Sequence, residues 1–186
     1  MALFFDGKLL QPESLLPTIG AFLLLCLMSS AVYIMNDLAD IENDRQHPVK
    51  KNRPLPAGTL NPRVALIAAV LFAVGSLAAG FWLNWQFGLV LLAYLLSQIA
   101  YSFWLKHVVL LDISIVTAGF VLRIAAGVTV IDVQRFSPWL YLFGGFLALF
   151  MVLGKRRHEL TLLGDNADSH RAILKEYNLD LIDRML

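Results

Sequence analysis

The chain has few charged residues for its length and almost no cysteine. Of its 186 residues, 16% are charged, against about 25% in an average soluble domain, and 58% are hydrophobic. The single cysteine, Cys26, excludes an intramolecular disulfide framework and a cysteine-based zinc cluster. A formal net charge of +1 is not the basic excess typical of nucleic-acid binding, so we expect no nucleic-acid partner. The composition instead predicts a membrane protein.

Charge is nearly absent from five long apolar stretches. Each stretch has 18 to 24 residues and, as a helix, can cross roughly 30 Å of hydrocarbon. They are Leu15–Met35, Val64–Leu83, Phe87–Leu105, Val108–Ile131 and Ser137–Gly154. We therefore predict an all-α fold, a multi-span transmembrane helical bundle that forms one domain over residues 1–186.

Positive charge is unequally divided between the two sides of such a bundle. The loops after the first, third and fifth spans carry most of the lysines and arginines, whereas the other side receives Lys8 and Arg135. The positive-inside rule makes the richer side cytoplasmic. We expect a multi-pass protein of the cell (inner) membrane with its active site on the cytoplasmic side.

The most specific polar pattern follows the first span and reads Asn36-Asp37-x-x-Asp40-x-x-x-Asp44. On a continuous helix the three aspartates share one face, and Glu42 points elsewhere. Carboxylates on one face repel one another unless a cation lies between them, and Mg²⁺ commonly binds through a few carboxylates and substrate phosphates. The alternative to a metal site is a solvated acidic helix end, although carboxylates without a binding partner beside a membrane span are energetically costly. The pattern predicts Mg²⁺ bound by these aspartates.

Basic residues follow this acidic segment. The helix should end at His47, because Pro48 disfavours helical geometry in the residue before it. Lys50, Lys51 and Arg53 come next. Cations beside carboxylates suit a metal–diphosphate site, since they contact the remaining phosphate oxygens. Topology and lipid-headgroup binding are the alternative roles, above all for the two lysines.

Two further segments on the same side carry charge. Asp112 and Arg123 lie on one helical stripe of the fourth span, so they face a polar cavity or pair with neighbouring helices. Gly154–Leu160 (GKRRHEL) holds three consecutive cations, for which membrane anchoring is the alternative role. Glu159, with Asp165 and Asp168, forms a second acidic group, and its binding of a second metal stays open. Together the segments predict a membrane enzyme that handles a diphosphate with Mg²⁺.

Three segments, Asn36–Gly58, Tyr101–Gly127 and Gly154–Leu160, resemble the UbiA superfamily of intramembrane prenyltransferases. They are similar to the branch that transfers 5-phosphoribose from phosphoribosyl pyrophosphate to a polyprenyl (decaprenyl) phosphate. The resemblance implies nine helices, of which about five spans are present here. We therefore expect a fragment, a single partial UbiA-like domain that lacks the N-terminal helix and the C-terminal helices.

The resemblance also implies an activity and a site. The reaction would release pyrophosphate at the surface of the lipid bilayer and supply a precursor of cell-wall polysaccharide. Asp37, Asp40 and Asp44 would be catalytic through Mg²⁺. The residues expected to bind substrate are Asn36, Arg45, Lys50, Arg53, Tyr101, Lys106, Asp112, Arg123, Lys155, Arg156, Arg157 and Glu159.

Two other functions remain open from the sequence. Aromatic prenyltransferases of the superfamily carry a second motif, D-x-x-x-D, whereas Asp165 and Asp168 here are three residues apart. The missing motif argues against transfer of a polyprenyl group from its diphosphate to an aromatic acceptor such as 4-hydroxybenzoate. A transporter or lipid-binding scaffold is the other alternative, but the polar residues gather at one face rather than near the midplane.

Overall fold

The computed structural model describes residues 3, 7–8, 10–131, 137–163, 177 and 179–185. Within these ranges the chain folds into seven α-helices and contains no strand, which confirms the all-α prediction. The helices are α1 (Pro12–Ala39), α2 (Ile41–Gln46), α3 (Pro62–Leu83), α4 (Trp85–Phe103), α5 (Leu111–Thr129), α6 (Pro138–Leu163) and α7 (Leu179–Met185). Two short 3₁₀ helices, Lys50–Asn52 and Leu105–His107, lie between them.

Five of the described helices, α1, α3, α4, α5 and α6, are long and apolar enough to cross a membrane. The prediction of a multi-span membrane protein is confirmed. Large apolar side chains cover the outer faces of these helices, for example Ile67 and Phe146, each more than 60% exposed. In a bilayer these side chains contact lipid, so their exposure carries no penalty.

Asparagines mark where α3 and α4 begin. The Asn61 Oδ1 accepts the Arg63 N–H at 2.9 Å, beside Pro62 at the first helical position. The Asn84 Oδ1 accepts the Gln86 N–H at 2.8 Å and the Phe87 N–H at 3.2 Å. Asn84 has an extended backbone and is both the C-cap of α3 and the N-cap of α4. The two helices are therefore joined by a single residue in a tight antiparallel hairpin.

The helices pack around two apolar cores. The larger core joins α1, α3, α4 and α5, and its buried side chains include Met28, Phe87 and Tyr94. The smaller core joins α5, α6 and α7 through residues such as Ile113 and Ile182. The second core fixes the end of α6 where the basic residues lie.

Two helix boundaries differ from the sequence prediction, and both affect the site. The helix after the first span ends at Gln46 with His47 as its C-cap, as expected, but it is broken at Asp40. The α6 helix was expected to end at Gly154 and instead continues to Leu163. The segment after Gly154 contains neither proline nor glycine before residue 164 and is rich in Lys, Arg, Glu and Leu, which favour helix.

Candidate active site

Two of the three predicted carboxylates meet at one cationic group. The Arg53 Nη1 lies 2.8 Å from Asp37 Oδ1 and 3.2 Å from Asp44 Oδ2. The Lys50 Nζ lies 3.7 Å from the other Asp44 oxygen. Asp44 is only 4% exposed, so its charge depends on these partners. The end of α1 and the α2 helix therefore form an acidic site that already surrounds a positive charge.

Asp40 contacts a different cation from the one that Asp37 and Asp44 share. Its Oδ1 accepts a hydrogen bond from the Nζ of Lys106, which is buried in the 3₁₀ helix after α4. The prediction assumes one continuous helix, whereas the helix is interrupted at Asp40, and Asp40 contacts Lys106 while Asp37 and Asp44 contact Arg53. In the described part of the chain, no three acidic, histidine or cysteine side chains are grouped closely enough to hold one metal ion. The predicted set of three ligands is thus divided into two and one.

Asp37 and Asp44 nonetheless fit Mg²⁺. Mg²⁺ is usually bound by one or two carboxylates and completes its octahedral shell with waters and substrate phosphates. Two carboxylate oxygens that approach the same guanidinium nitrogen provide that hard, convergent donor pair. Arg53 then lies where it can contact a phosphate oxygen of the same ligand.

Arg45 takes no part in this cluster. Its Nη1 pairs with Glu42 Oε1 at 2.7 Å on the exposed face of α2, and its Nε donates to the Pro56 carbonyl at 3.4 Å. The expectation that Arg45 binds substrate finds no support in this placement. Through its contact with the Pro56 carbonyl, Arg45 holds the loop before α3 against α2.

A polar cavity of about 310 Å³ lies between α1, α4, α5 and α6. It is lined by four predicted substrate-binding residues, Asn36, Tyr101, Arg123 and Lys155. Sequence reasoning missed the other polar residues of its wall, which are Tyr33, Tyr94, Gln98 and Ser102. The signal was available in α4, where Tyr94, Gln98 and Tyr101 are spaced four and three residues apart on a largely apolar helix.

Asp112 and Arg123 do not form a pair, although they share a helix. The Arg123 Nη2 donates to the Tyr94 hydroxyl, and its guanidinium lies about 5 Å from the ring centres of Tyr94 and Phe120. Arg123 also lines a second, apolar cavity of about 370 Å³. The prediction that Arg123 faces a polar cavity agrees with this placement.

Asp112 pairs instead with Arg156, and both side chains are buried. The Arg156 Nε lies 2.9 Å from Asp112 Oδ2, and its Nη1 lies 2.7 Å from Glu159 Oε2. The Tyr177 hydroxyl donates to Asp112 Oδ1 at 2.6 Å and accepts the Leu110 N–H at 2.8 Å. Burial, reinforced by the hydrogen bond to Asp112, raises the pKa of Tyr177 to about 12. Neither Asp112 nor Arg156 lines the polar cavity, so their expected contact with substrate finds no support.

The three consecutive cations of α6 point to three different places. Lys155 lines the polar cavity. Arg156 is buried against Asp112, and the Arg157 Nε pairs with Asp183 Oδ1 of α7 at 2.6 Å on the surface. That hydrogen bond lowers the pKa of Asp183. Asp165 and Asp168 lie outside the described residues.

Comparison with known proteins agrees with this architecture. The family model described as the UbiA prenyltransferase family matches residues 8–157. The chain belongs to the UbiA prenyltransferase family. Its fold matches a UbiA homolog from Archaeoglobus fulgidus bound to GPP and Mg²⁺, with a TM-score of 0.78 and 19% identity, over 92% of this chain and 61% of that one.

Curated members of the family share more of the sequence. The decaprenyl-phosphate phosphoribosyltransferase of Mycolicibacterium smegmatis is 41% identical over 157 residues, which are 84% of this chain and 49% of the relative. The enzyme of the same name from Mycobacterium tuberculosis is 39% identical over the same share of this chain and 52% of its own length. The chain thus spans about half the length of these relatives, and the predicted family membership is confirmed.

Proposed function

We propose that this chain carries the donor site of a membrane phosphoribosyltransferase. The enzyme transfers 5-phosphoribose from phosphoribosyl pyrophosphate to a polyprenyl (decaprenyl) phosphate, depends on Mg²⁺, and supplies precursors of cell-wall polysaccharide. The observation that carries the proposal is the convergence of Asp37 and Asp44 on Arg53, with Lys50 beside them. The names of relatives 39–41% identical to this chain support the choice of donor and acceptor.

The acidic site suits the diphosphate of the donor. Asp37 and Asp44 would hold Mg²⁺, and the bound ion would offset the charge that develops on the departing pyrophosphate. Arg53 and Lys50 would contact the phosphate oxygens that the ion leaves free. Asp40 would position Lys106, whose ammonium group it contacts, toward the same ligand. The site would then surround one diphosphate with both signs of charge.

The transfer step needs little more from the protein than charge and position. The bond from ribose C1 to the diphosphate oxygen breaks, and its electron pair leaves with pyrophosphate. A lone pair of the lipid phosphate oxygen forms the new bond to C1. Because that oxygen is already an anion, no general base is required. The residues act by holding the phosphates and stabilising the leaving group.

The charge asymmetry of the loops supports a cytoplasmic active site. Phosphoribosyl pyrophosphate is a soluble, highly charged donor, and it would enter from the side where the lysines and arginines lie. The lipid acceptor would arrive from the bilayer, which the five long helices are apolar enough to cross. We propose the inner membrane as the location.

The test uses the complete reading frame that contains this chain, expressed in membranes without the activity. The membranes receive phosphoribosyl pyrophosphate labelled in the ribose, decaprenyl phosphate and Mg²⁺, and the label is then measured in the organic phase. The proposal predicts lipid-soluble label that disappears when Mg²⁺ is chelated.

A second donor is tested in parallel, because the fold also matches a UbiA homolog bound to GPP and Mg²⁺. The same membranes receive a prenyl diphosphate and 4-hydroxybenzoate. A prenylated aromatic product, with no label transferred from phosphoribosyl pyrophosphate, would overturn the proposal in favour of aromatic prenyl transfer. Turnover of neither donor, in membranes that contain the folded protein, would contradict both transferase functions.

A further inference from the structure

Leu110, the residue that precedes α5, has a backbone conformation that leucine rarely adopts. Its φ is +66° and its ψ is −32°, and it is the one residue other than glycine with a positive φ in the described ranges. A side chain of this size is strained there, because its Cβ crowds the backbone. Leu110 is also 50% exposed, so packing of its side chain does not impose the conformation. Such strain persists only where other contacts fix the backbone.

The hydroxyl group of Tyr177 makes such a contact. It accepts the Leu110 N–H at 2.8 Å and donates its proton to Asp112 Oδ1 at 2.6 Å, so it acts both as a donor and as an acceptor. The Tyr177 ring is buried in the smaller apolar core, and Asp112 is fully buried with its other oxygen paired to Arg156. The ring and the carboxylate that orient the hydroxyl are therefore both fixed. A phenylalanine would fill the same space in the core but could not hold the Leu110 N–H.

The strained residue closes the loop between α4 and α5, which carries Lys106. Lys106 is buried and lies four residues before Leu110. Backbone hydrogen bonds on both sides of Val108 connect the two positions. The Val108 N–H donates to the Leu105 carbonyl, and the Val108 carbonyl accepts the Asp112 N–H, each at 3.1 Å. A change of the backbone at Leu110 would therefore alter the path of the chain back to Lys106.

Tyr177 itself acts at a distance from the proposed ligands. It does not line the polar cavity, and neither do the two residues to which it is hydrogen bonded, Leu110 and Asp112. Lys106, in contrast, contacts Asp40 in the acidic motif, beside which the proposed donor would bind. The loop between α4 and α5 is thus the route by which the Tyr177 hydroxyl reaches the donor site.

We infer that Tyr177 is a positioning residue of the donor site, because its hydroxyl holds Leu110 at positive φ and thereby keeps Lys106 against Asp40. The inference rests on the proposed function for the identity of the donor, and on the contacts described above for the loop. Without the hydroxyl, the backbone of Leu110 relaxes to negative φ. The Lys106 ammonium group is then no longer held at the Asp40 carboxylate, and it contacts the donor less well.

The first test follows the loop without any substrate. Protein from the complete reading frame is purified in detergent and treated with acetic anhydride, and the acetylation of each lysine is measured by mass spectrometry. Lys106 should react slowly in the wild type, because it is 7% exposed and paired with a carboxylate. Tyr177→Phe should raise that rate about fivefold, the effect expected of one hydrogen bond between neutral groups. The exposed Lys51 is the internal reference and should react at an unchanged rate. Tyr141→Phe removes a hydroxyl near the start of α6 and should behave as the wild type does.

A second substitution separates the backbone of Leu110 from its side chain. Glycine adopts positive φ without strain, so Leu110→Gly added to Tyr177→Phe should return the acetylation of Lys106 to within about twofold of the wild-type rate. Leu110→Ala is the matched control, because it shortens the side chain but keeps the Cβ that causes the strain. Added to Tyr177→Phe, it should leave Lys106 as reactive as in Tyr177→Phe alone. Equal rescue by glycine and alanine would overturn the inference.

The same variants are then compared in phosphoribosyl transfer, with equal amounts of folded protein. Tyr177→Phe should raise the KM for phosphoribosyl pyrophosphate about fivefold and change kcat less than about twofold, since a displaced Lys106 weakens the donor before and during the reaction alike. Adding Leu110→Gly should restore the KM. A tyrosine that only stabilised the core would lower the Tm on substitution and leave this KM unchanged.

These outcomes separate the inference from the proposed function. An unchanged acetylation rate of Lys106 in folded Tyr177→Phe, or an unchanged KM, would overturn the inference even if the transferase is active. Faster acetylation that glycine reverses, in a protein without phosphoribosyl transfer, would uphold the positioning of the loop and overturn the proposed reaction. Should Tyr177→Phe fail to fold, Leu110→Val provides the test. A β-branched side chain disfavours positive φ more than leucine does, so Lys106 should react about threefold faster in Leu110→Val than in Leu110→Gly. Equal rates in these two variants would overturn the inference.

Discussion

The acidic end of α1 and the basic end of α6 are two short runs of like charge that the backbone treats in opposite ways. At the acidic end the helix breaks at Asp40, and Asp37 and Asp44 converge on one guanidinium. At the basic end the helix is unbroken, so consecutive residues point about 100° apart. Lys155, Arg156 and Arg157 accordingly reach a cavity, a buried carboxylate and the surface. Charged residues that are close in sequence therefore contact one shared group at the end of α1 and three different groups at the end of α6.

The largest expected effect is at the convergent end. Asp37→Asn or Asp44→Asn should lower phosphoribosyl transfer by about 100-fold or more, because even the outer partners of a metal ligand are worth about 10–100-fold. Glu42→Gln is the matched control, since Glu42 belongs to the same segment but pairs only with Arg45 on the exposed face. Initial rates in membranes with equal amounts of folded protein measure the difference. Equal activity in Asp37→Asn and Glu42→Gln would show that the Asp37 carboxylate is not needed for the transfer.

At the divergent end the main effect should be on stability. Arg156→Leu leaves Asp112 buried without its cation, which costs about 3–5 kcal/mol when one partner of a buried pair is removed. We expect a large fall in the Tm of the detergent-purified protein. The double variant Asp112→Leu with Arg156→Leu removes both charges and should recover much of the loss. If Arg156→Leu keeps its Tm and instead loses affinity for phosphoribosyl pyrophosphate, Arg156 is a substrate ligand.

Substitutions of the two neighbours of Arg156 should have smaller effects, which differ between Lys155 and Arg157. Lys155→Gln should raise the KM for substrate several-fold, since Lys155 lines the polar cavity. Arg157→Gln should change the KM less than twofold, because Arg157 pairs with Asp183 on the surface and exposed pairs contribute little. Steady-state kinetics of the two variants, compared side by side, measure this. The reverse order of effects would show that the helix does not separate these cations.

The smallest effect concerns the contact between Tyr177 and Asp112. The pKa of Tyr177 is raised to about 12 in the folded protein, above its usual value of about 10. The stability that it contributes is therefore fully present below pH 10 and is lost as the pH rises through 12. Alkaline unfolding of the wild type should be steeper over this interval than that of Tyr177→Phe. Superimposable curves would mean that Tyr177 does not hold this buried contact.

The sequence predicted the features that depend on composition and local pattern. All five spans were predicted, because an uncharged run of about 20 residues has few alternatives to a membrane helix. The end of α2 at His47 followed from Pro48. The acidic motif was found because its residue types and spacing are sufficient to identify it.

What the sequence could not predict depends on contacts between distant segments. Asp40 accepts a hydrogen bond from Lys106, which lies 66 residues further along the chain, and no local sequence pattern predicts that pairing. Arg156 likewise meets Asp112 across 44 residues; the shared helical stripe of Asp112 and Arg123 leaves a pairing with a neighbouring helix open but does not identify the partner. The continuation of α6 past Gly154 differs from the prediction, because a charged segment after an apolar run is typical of a loop outside the membrane.

We propose that Asp37 and Asp44 hold the metal of a metal–diphosphate site. Binding of Mn²⁺, as a paramagnetic substitute for Mg²⁺, tests it most directly when measured by electron paramagnetic resonance with and without phosphoribosyl pyrophosphate. We predict that the donor and Mn²⁺ bind together to the wild type and to Glu42→Gln. The bound signal should be lost in Asp37→Asn and in Asp44→Asn. Undiminished Mn²⁺ binding in both aspartate variants would show that these carboxylates do not hold the metal.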